Sequence, residues 1–272
     1  LQDLSTMGKI DIKGPEAEAL VNHLIVNDAA RMTPGQARYA SVCAPDGGIM
    51  DDLTVFRHGS EHFLIVSGSR NRLKIRDWAM QHAMGRRAYV TDITAAVAFP
   101  TIQGPNSRAL LQSLIEDADL TNLKRWTFTH GILDGTRVMI SRTGVTGELG
   151  FELFVPADEA AGVWNAIFHA GGAFGLRPYG VKAMFTLGLE KLYPAHGIDM
   201  DSLFYNTNKT DADLNPIRAQ AFRTVMENTR GFGDYAGGNN VDFIRTGRKL
   251  AVQLPCFAVD CDTAIVTPVV IG

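Results

Sequence analysis

Two adjacent aspartates, Asp51 and Asp52, interrupt an otherwise apolar run, Ile49-Met50-Asp51-Asp52-Leu53-Thr54-Val55, directly after Gly47-Gly48. Successive strand side chains point to opposite faces, so Leu53 and Val55 enter a core while Asp52 and Thr54 share the other side. Only one of the two carboxylates can then face any given pocket. Residues 37–43 also read as a strand, and Ala44-Pro45-Asp46-Gly47-Gly48 supplies the turn of a hairpin. Folding that hairpin about Asp46 brings Tyr39 close to opposite Asp52. A phenol beside a carboxylate on rigid strands is a constellation that positions a polar heterocycle. The simpler reading of Asp-Asp after Gly-Gly is turn chemistry, with carboxylates capping backbone N–H groups. A second motif tips the balance toward a site.

That motif is Ser141-Arg142-Thr143-Gly144-Val145-Thr146-Gly147-Glu148-Leu149-Gly150-Phe151-Glu152. It follows a strand-like run at 136–140 and precedes the alternating Phe151-Glu152-Leu153-Phe154-Val155. Gly144, Gly147 and Gly150 allow close backbone approach, so a ligand or a second strand is expected against this loop. Glu152 is a charge inside an apolar strand and must find a partner. No Lys-Ser or Lys-Thr follows the glycines and no helix starts among them, which excludes a P-loop.

Taken in order, the motifs resemble the folate-binding aminomethyltransferase family: the T-protein of the glycine cleavage system and relatives such as the folate domains of sarcosine and dimethylglycine dehydrogenases. The resemblance runs from Leu1 to Asp201. It is carried by Asp3-Leu4-Ser5 with Gly8-Lys9-Ile10, Asn27-Asp28, Gly35-Gln36, Tyr39, the Gly-Gly-Ile-x-Asp-Asp-Leu block, Gln103-Gly104-Pro105, the Thr-Gly-x-Thr-Gly-Glu-x-Gly-x-Glu block, and Leu189-Glu190-Lys191 with Gly197. The resemblance implies a tetrahydrofolate-dependent transferase that moves a one-carbon unit from a small-molecule or carrier-bound amine donor. Asp52 is then the catalytic residue, near the reacting nitrogens of tetrahydrofolate. Tyr39 and Glu152 line the pterin pocket, with Val145 and Met184 at further pocket positions. The implied partners are a lipoyl carrier protein or a flavoprotein.

Departures from the family pattern matter as well. Val145 stands where relatives carry an aromatic, which removes a stacking wall. Met184 and Gly188 stand where T-proteins carry arginines, so bidentate partners for folate oxygens are lost and weak folate affinity is expected. The Leu-Glu-Lys ending and Gly-Glu-Leu-Gly-Phe-Glu lean toward the sarcosine and dimethylglycine branch. A flavin-dependent demethylating system, with the flavin on another chain or segment because no Gly-x-Gly-x-x-Gly is present, is therefore one alternative. A folate-binding module without chemistry is another, although the Lys-Gly-Cys-x-x-Gly-Gln motif of the iron-sulfur assembly relatives is not found.

The chain has 272 residues, 46% of them apolar, enough to bury a sizeable core. A net charge of −3 makes no electrostatic case for nucleic acid or an anionic membrane. The sequence shows neither a run of roughly 20 apolar residues nor a basic-then-apolar N-terminus, so a membrane anchor and a secretion signal are not expected. Cys43, Cys256 and Cys261 offer no paired framework, which suits a reducing compartment such as the cytoplasm, or the mitochondrial matrix in a eukaryote. His58 and His62 have a ligand-like separation but flank a strand-to-strand turn, and no metal site is expected there.

Periodicity predicts helices over 15–26, 71–82, 106–114, 157–169 and 180–192, and strands over 37–43, 50–57, 62–67, 88–91 and 97–103. Mixed order of this kind gives an α+β fold rather than a doubly wound parallel sheet. Residues 1–201 are read as the folate-binding region. Residues 202–272 are read as a linker and a partial domain, a truncated or diverged C-terminal β-barrel.

Overall fold

A computed structural model describes residues 1–44, 48–191, 193 and 196, with the backbone of 256–260 and 265–269. Its framework is two antiparallel sheets. The first has the strand order β3 (Ala37–Cys43), β4 (Ile49–Gly59), β5 (His62–Ser67), β2 (Gly8–Lys13) and β6 (Tyr89–Asp92). The second has the order β1 (Gln2–Asp3), β8 (Pro100–Gln103), β11 (Gly150–Pro156), β10 (Thr136–Ser141) and β9 (Phe128–Leu133), with β7 (Val97–Ala98) also on β11.

Alternation along the strands decides what each sheet face covers. In the first sheet Ile10, Ile12, Ala40, Val42, Leu53 and Val55 point to one side. There they pack with α1 (Ala17–Leu24) and α2 (Arg72–Ala83). Helix α1 presents Ala17, Leu20, Val21 and Leu24, the spacing of one helical face, and all four are buried. In the second sheet Ile140, Phe151, Leu153 and Val155 turn toward α3 (Ser107–Gln112) and α4 (Ala160–Gly171). The residues in between face the opposite sheet: Ala37, Phe56, Leu64 and Val66 meet Phe128, Met139 and Phe154 in a third apolar cluster. Phe56 lies edge-on to Phe154, ring centroids 5.1 Å apart. This inner layer is where Asp52 and Glu152 must also point, Asp52 being four residues from Phe56 and Glu152 two from Phe154.

The α+β class holds, and the strand at 37–43 and the one at 62–67 fall where the pattern puts them. Three strands, β1, β2 and β9, have no counterpart in the sequence reading. In β2, Lys9 and Asp11 break the apolar run, yet both are buried: Lys9 Nζ donates to Ser5 O at 2.8 Å, and Asp11 pairs with Lys13 at 2.6 Å and His62 at 2.7 Å. In β9, Thr129, His130 and Gly131 hide the strand pattern. The run at 97–103 is two strands, the 157–169 helix opens with a 3-10 turn at Ala157–Glu159, and helix α5 covers Val181–Glu190. In the C-terminal region the described backbone is one hairpin, β12 (Cys256–Asp260) with β13 (Ile265–Val269). The proposed barrel and the boundary at 201 otherwise lie outside the described residues. Among the described residues, no helix is long and apolar enough to cross a membrane.

Candidate functional site

Strand β4 presents the two aspartates to opposite sides, as alternation requires. Asp52 faces the inner layer, where the Tyr39 hydroxyl donates to its Oδ2 at 2.7 Å. The register differs from the simple hairpin: Tyr39 pairs with Thr54, and Ser41 pairs with Asp52, because a bulge shifts the ladder between Val42 and Cys43. Tyr39 therefore reaches Asp52 along the strand rather than straight across. Burial raises the Asp52 carboxyl pKa, opposed by the Tyr39 hydrogen bond. Tyr39 is pushed well above the usual phenol range by burial and by the Asp52 charge, so it remains a donor.

Asp51, 1% exposed, is held behind the sheet. It accepts from the Gly68 N–H at 2.9 Å and from Asn71 Nδ2 at 2.8 Å, and burial pushes its pKa up to about 6. The same Asn71 amide lies 3.1 Å from His196 Nδ1, and His196 Nε2 is 3.2 Å from Ile49 O. Since Asn71 Nδ2 is a donor, Nδ1 accepts and the ring carries its proton on Nε2. His196 thus closes over the start of β4, and the Asn71 amide links it to Asp51. The sequence reading missed Asn71 and His196, because nothing in linear spacing links 51, 71 and 196.

On the facing sheet Glu152 is 5% exposed and stands in a cross-strand row with Thr101 on β8 and Ser141 on β10. Its carboxylate accepts from the Thr143 hydroxyl, which lies 2.8 Å from Ser141 Oγ. One neutral donor is little compensation for a buried carboxylate, and burial pushes the Glu152 pKa up to about 7. Glu152 and the Tyr39–Asp52 pair project from facing sheets, each with its own partner.

The glycines of the 141–152 motif serve a side chain rather than leaving open space for a ligand. A Cβ at Gly144 or Gly150 would collide with the Gln103 carboxamide, and one at Gly147 with the Lys191 stem. Gln103 Nε2 donates to Thr101 Oγ1 at 2.6 Å and its Oε1 accepts from Thr146 at 3.0 Å, so this amide ties the loop to β8. Val145 is half-buried on that loop, and its carbonyl would lie 3.4 Å from a Cβ on Gly188. Met184, also half-buried, packs against the inner apolar cluster. Cations sit elsewhere: Arg125 and Arg142 line a cleft with Trp126, Tyr193 and the loop backbone.

His58 and His62 stack with ring centroids 4.3 Å apart, and among the described residues no group of His, Cys, Asp or Glu is arranged to hold a metal ion. Several buried polar atoms have no hydrogen-bond partner among the described residues, including Gln2 Oε1, Ser41 Oγ and the Tyr179 hydroxyl. Ser41 and Gln2 stand in the cross-strand rows of Asp52 and of Thr101–Glu152. Polar atoms left unsatisfied beside the half-buried Asp52 and the buried Glu152 fit a polar heterocycle that both donates and accepts.

Residues 1–216 match the model of the GCVT N-terminal domain. An aminomethyltransferase of Halothermothrix orenii is 40% identical over 214 residues, covering 79% of this chain and 58% of that protein. One of Streptomyces coelicolor is 41% identical over 237 residues, covering 87% and 60%. The crystal structure of glycine cleavage system aminomethyltransferase T from Bartonella henselae superposes with a TM-score of 0.66 at 27% identity, over 73% of this chain and 52% of that one. The chain thus spans about three fifths of the length of these curated relatives. Their names do not favour the lean toward the sarcosine and dimethylglycine branch.

Proposed function

The chain belongs to the GCVT N-terminal domain family, and from that premise we propose that it binds tetrahydrofolate between its two sheets and forms the folate-side part of an aminomethyltransferase. The observation that carries this reading is the Tyr39–Asp52 hydrogen bond, 2.7 Å long, on the inner face of β4. Tetrahydrofolate, when bound, supplies the N5 and N10 nitrogens that accept the one-carbon unit. Asp52 orients those nitrogens and stabilises the positive charge of the iminium-like carbon as it leaves the amine donor, an electrostatic role with no covalent bond to the protein. Tyr39 fixes the carboxylate rotamer. Glu152 accepts from pterin N–H groups, which would give its buried charge the donors it lacks. Val145 and Met184 border the ligand.

An aminomethyl group on a lipoyl carrier protein is in keeping with the relatives' names, and we read the partner as such a carrier rather than a flavoprotein. The cytoplasm, with its reduced thiols and folate pool, is the compartment that suits this chemistry.

Asp52→Asn tests the assignment. The amide keeps the size and can still meet Tyr39 but carries no charge. We expect tetrahydrofolate affinity within a few-fold of wild type and turnover down about 10²-fold or more, the usual loss of an electrostatic catalytic group. Near-normal turnover in the Asn variant removes Asp52 from the catalytic role.

A further inference from the structure

Tyr179 lies between α4 and α5, in a segment tied to the start of the chain: Leu1 N–H donates to Arg177 O at 3.0 Å and Tyr179 N–H to Leu1 O at 3.1 Å. The next residue, Gln2, pairs with Thr101, and Thr101 pairs with Glu152. The backbone therefore sets Tyr179 at the edge of the row that carries Glu152. The ring is half-buried, and its hydroxyl is shut off from solvent with no hydrogen-bond partner among the described residues. Glu152 is near enough for its charge to act on the phenol, yet no hydrogen bond joins the two. A gap thus separates a carboxylate short of donors from a hydroxyl short of an acceptor.

Each half of that gap has a chemical requirement. The phenol is held protonated, because burial first and the Glu152 charge second both push its pKa up. It needs an acceptor. Among the described residues Glu152 accepts from Thr143 alone, and it needs N–H donors on its remaining lone pairs. The ligand edge that closes both must carry N–H groups with a carbonyl oxygen beside them. A 2-amino-4-oxopyrimidine edge has that order: amino N–H, ring N3–H, then the 4-oxo oxygen. A ring lacking the oxygen loses the N3 proton with it, so it offers the carboxylate its amino N–H alone and the phenol no carbonyl, which is how a polar site rejects an analogue.

We propose that Tyr179 is a specificity-determining residue, donating its O–H to the 4-oxo group of a pterin whose 2-amino and N3–H groups face Glu152. The inference rests on the folate reading above and extends it to a residue outside the motifs that carry the family resemblance. Phe at 179 keeps the ring and removes the hydroxyl. The test is a binding cycle: wild type and Tyr179→Phe, each titrated calorimetrically with 6-methyltetrahydropterin and with its counterpart lacking the 4-oxo group. We expect Tyr179→Phe to weaken the 4-oxo compound about tenfold and to leave the 4-deoxy compound unchanged. The ligand-free variant should unfold at the same urea concentration as wild type or a higher one, since the lost hydroxyl had no partner. Equal weakening of both compounds, no weakening of either, or a clear drop in the urea midpoint overturns the assignment. Wild-type protein that binds neither pterin nor tetrahydrofolate at millimolar concentration overturns it through its premise, and that failure is distinct because the variant is then not needed to see it.

Discussion

Glu152→Gln should convert a pH-dependent stability into a flatter one. In the folded chain the carboxyl pKa is about 7, against an ordinary 4.5, because burial penalises the charge and the Thr143 hydrogen bond offsets only part of that penalty. Between those values the native state holds a proton that the unfolded chain has lost. Stability is therefore fully present below pH 4.5, falls as pH rises through the window, and is lost above 7. At 1.36 kcal/mol per unit, a shift of about 2.5 units corresponds to about 3 kcal/mol. Glutamine can still accept from Thr143, and its unplaced NH2 costs about 1 kcal/mol. The variant should thus match wild type within about 1 kcal/mol near pH 4.5 and exceed it by about 2 kcal/mol at pH 8. Urea unfolding of both proteins across this range, extrapolated linearly to water, gives the comparison. Asp51, pushed up to about 6, titrates in the same window, so the difference between the two proteins is the quantity to read rather than the wild-type slope. A difference that does not change with pH refutes the claim that Glu152 is an undercompensated buried charge.

Gly150→Ala should destabilise the fold by about 1 to 3 kcal/mol, because the new methyl displaces the Gln103 amide from Thr101, and a urea midpoint equal to wild type would show that the loop has room. Met184→Arg restores a cation at a position that borders the inner layer. It should tighten tetrahydrofolate binding about tenfold, the equivalent of one charge-assisted hydrogen bond. Unchanged affinity, or a protein that no longer folds, would place Met184 in the core alone.

The hairpin was legible in the sequence because alternation and turn chemistry act within twenty residues: residues 37–43 and 62–67 fall as expected, and Tyr39 and Asp52 meet. The one-residue register difference came from a bulge next to the turn, which has no side-chain pattern of its own. What stayed hidden depends on contacts between distant segments. Lys9 is buried with its ammonium on Ser5 O and 5.9 Å from the Phe99 ring centroid, and burial lowers its pKa to about 8. Asp51 looked like a spare turn carboxylate until Gly68, Asn71 and His196 closed around it. The glycines at 144 and 150 suggested room for a ligand, whereas Gln103, some forty residues earlier, occupies it. Alternation assigns residues to faces but does not say which sheet a face will meet, so the pairing of the Asp52 and Glu152 faces emerged only in three dimensions.

Calorimetric titration of the chain with tetrahydrofolate, alongside Glu152→Ala, tests the central claim most directly. The account predicts saturable binding by wild type, weakened at least tenfold in the variant, because the buried Glu152 carboxylate is the acceptor for the pterin N–H groups. It also predicts proton release on binding near pH 6, since those donors favour the charged form of a carboxyl whose pKa is about 7 in the free protein. Absence of binding at millimolar tetrahydrofolate, or equal affinity in Glu152→Ala, would contradict it.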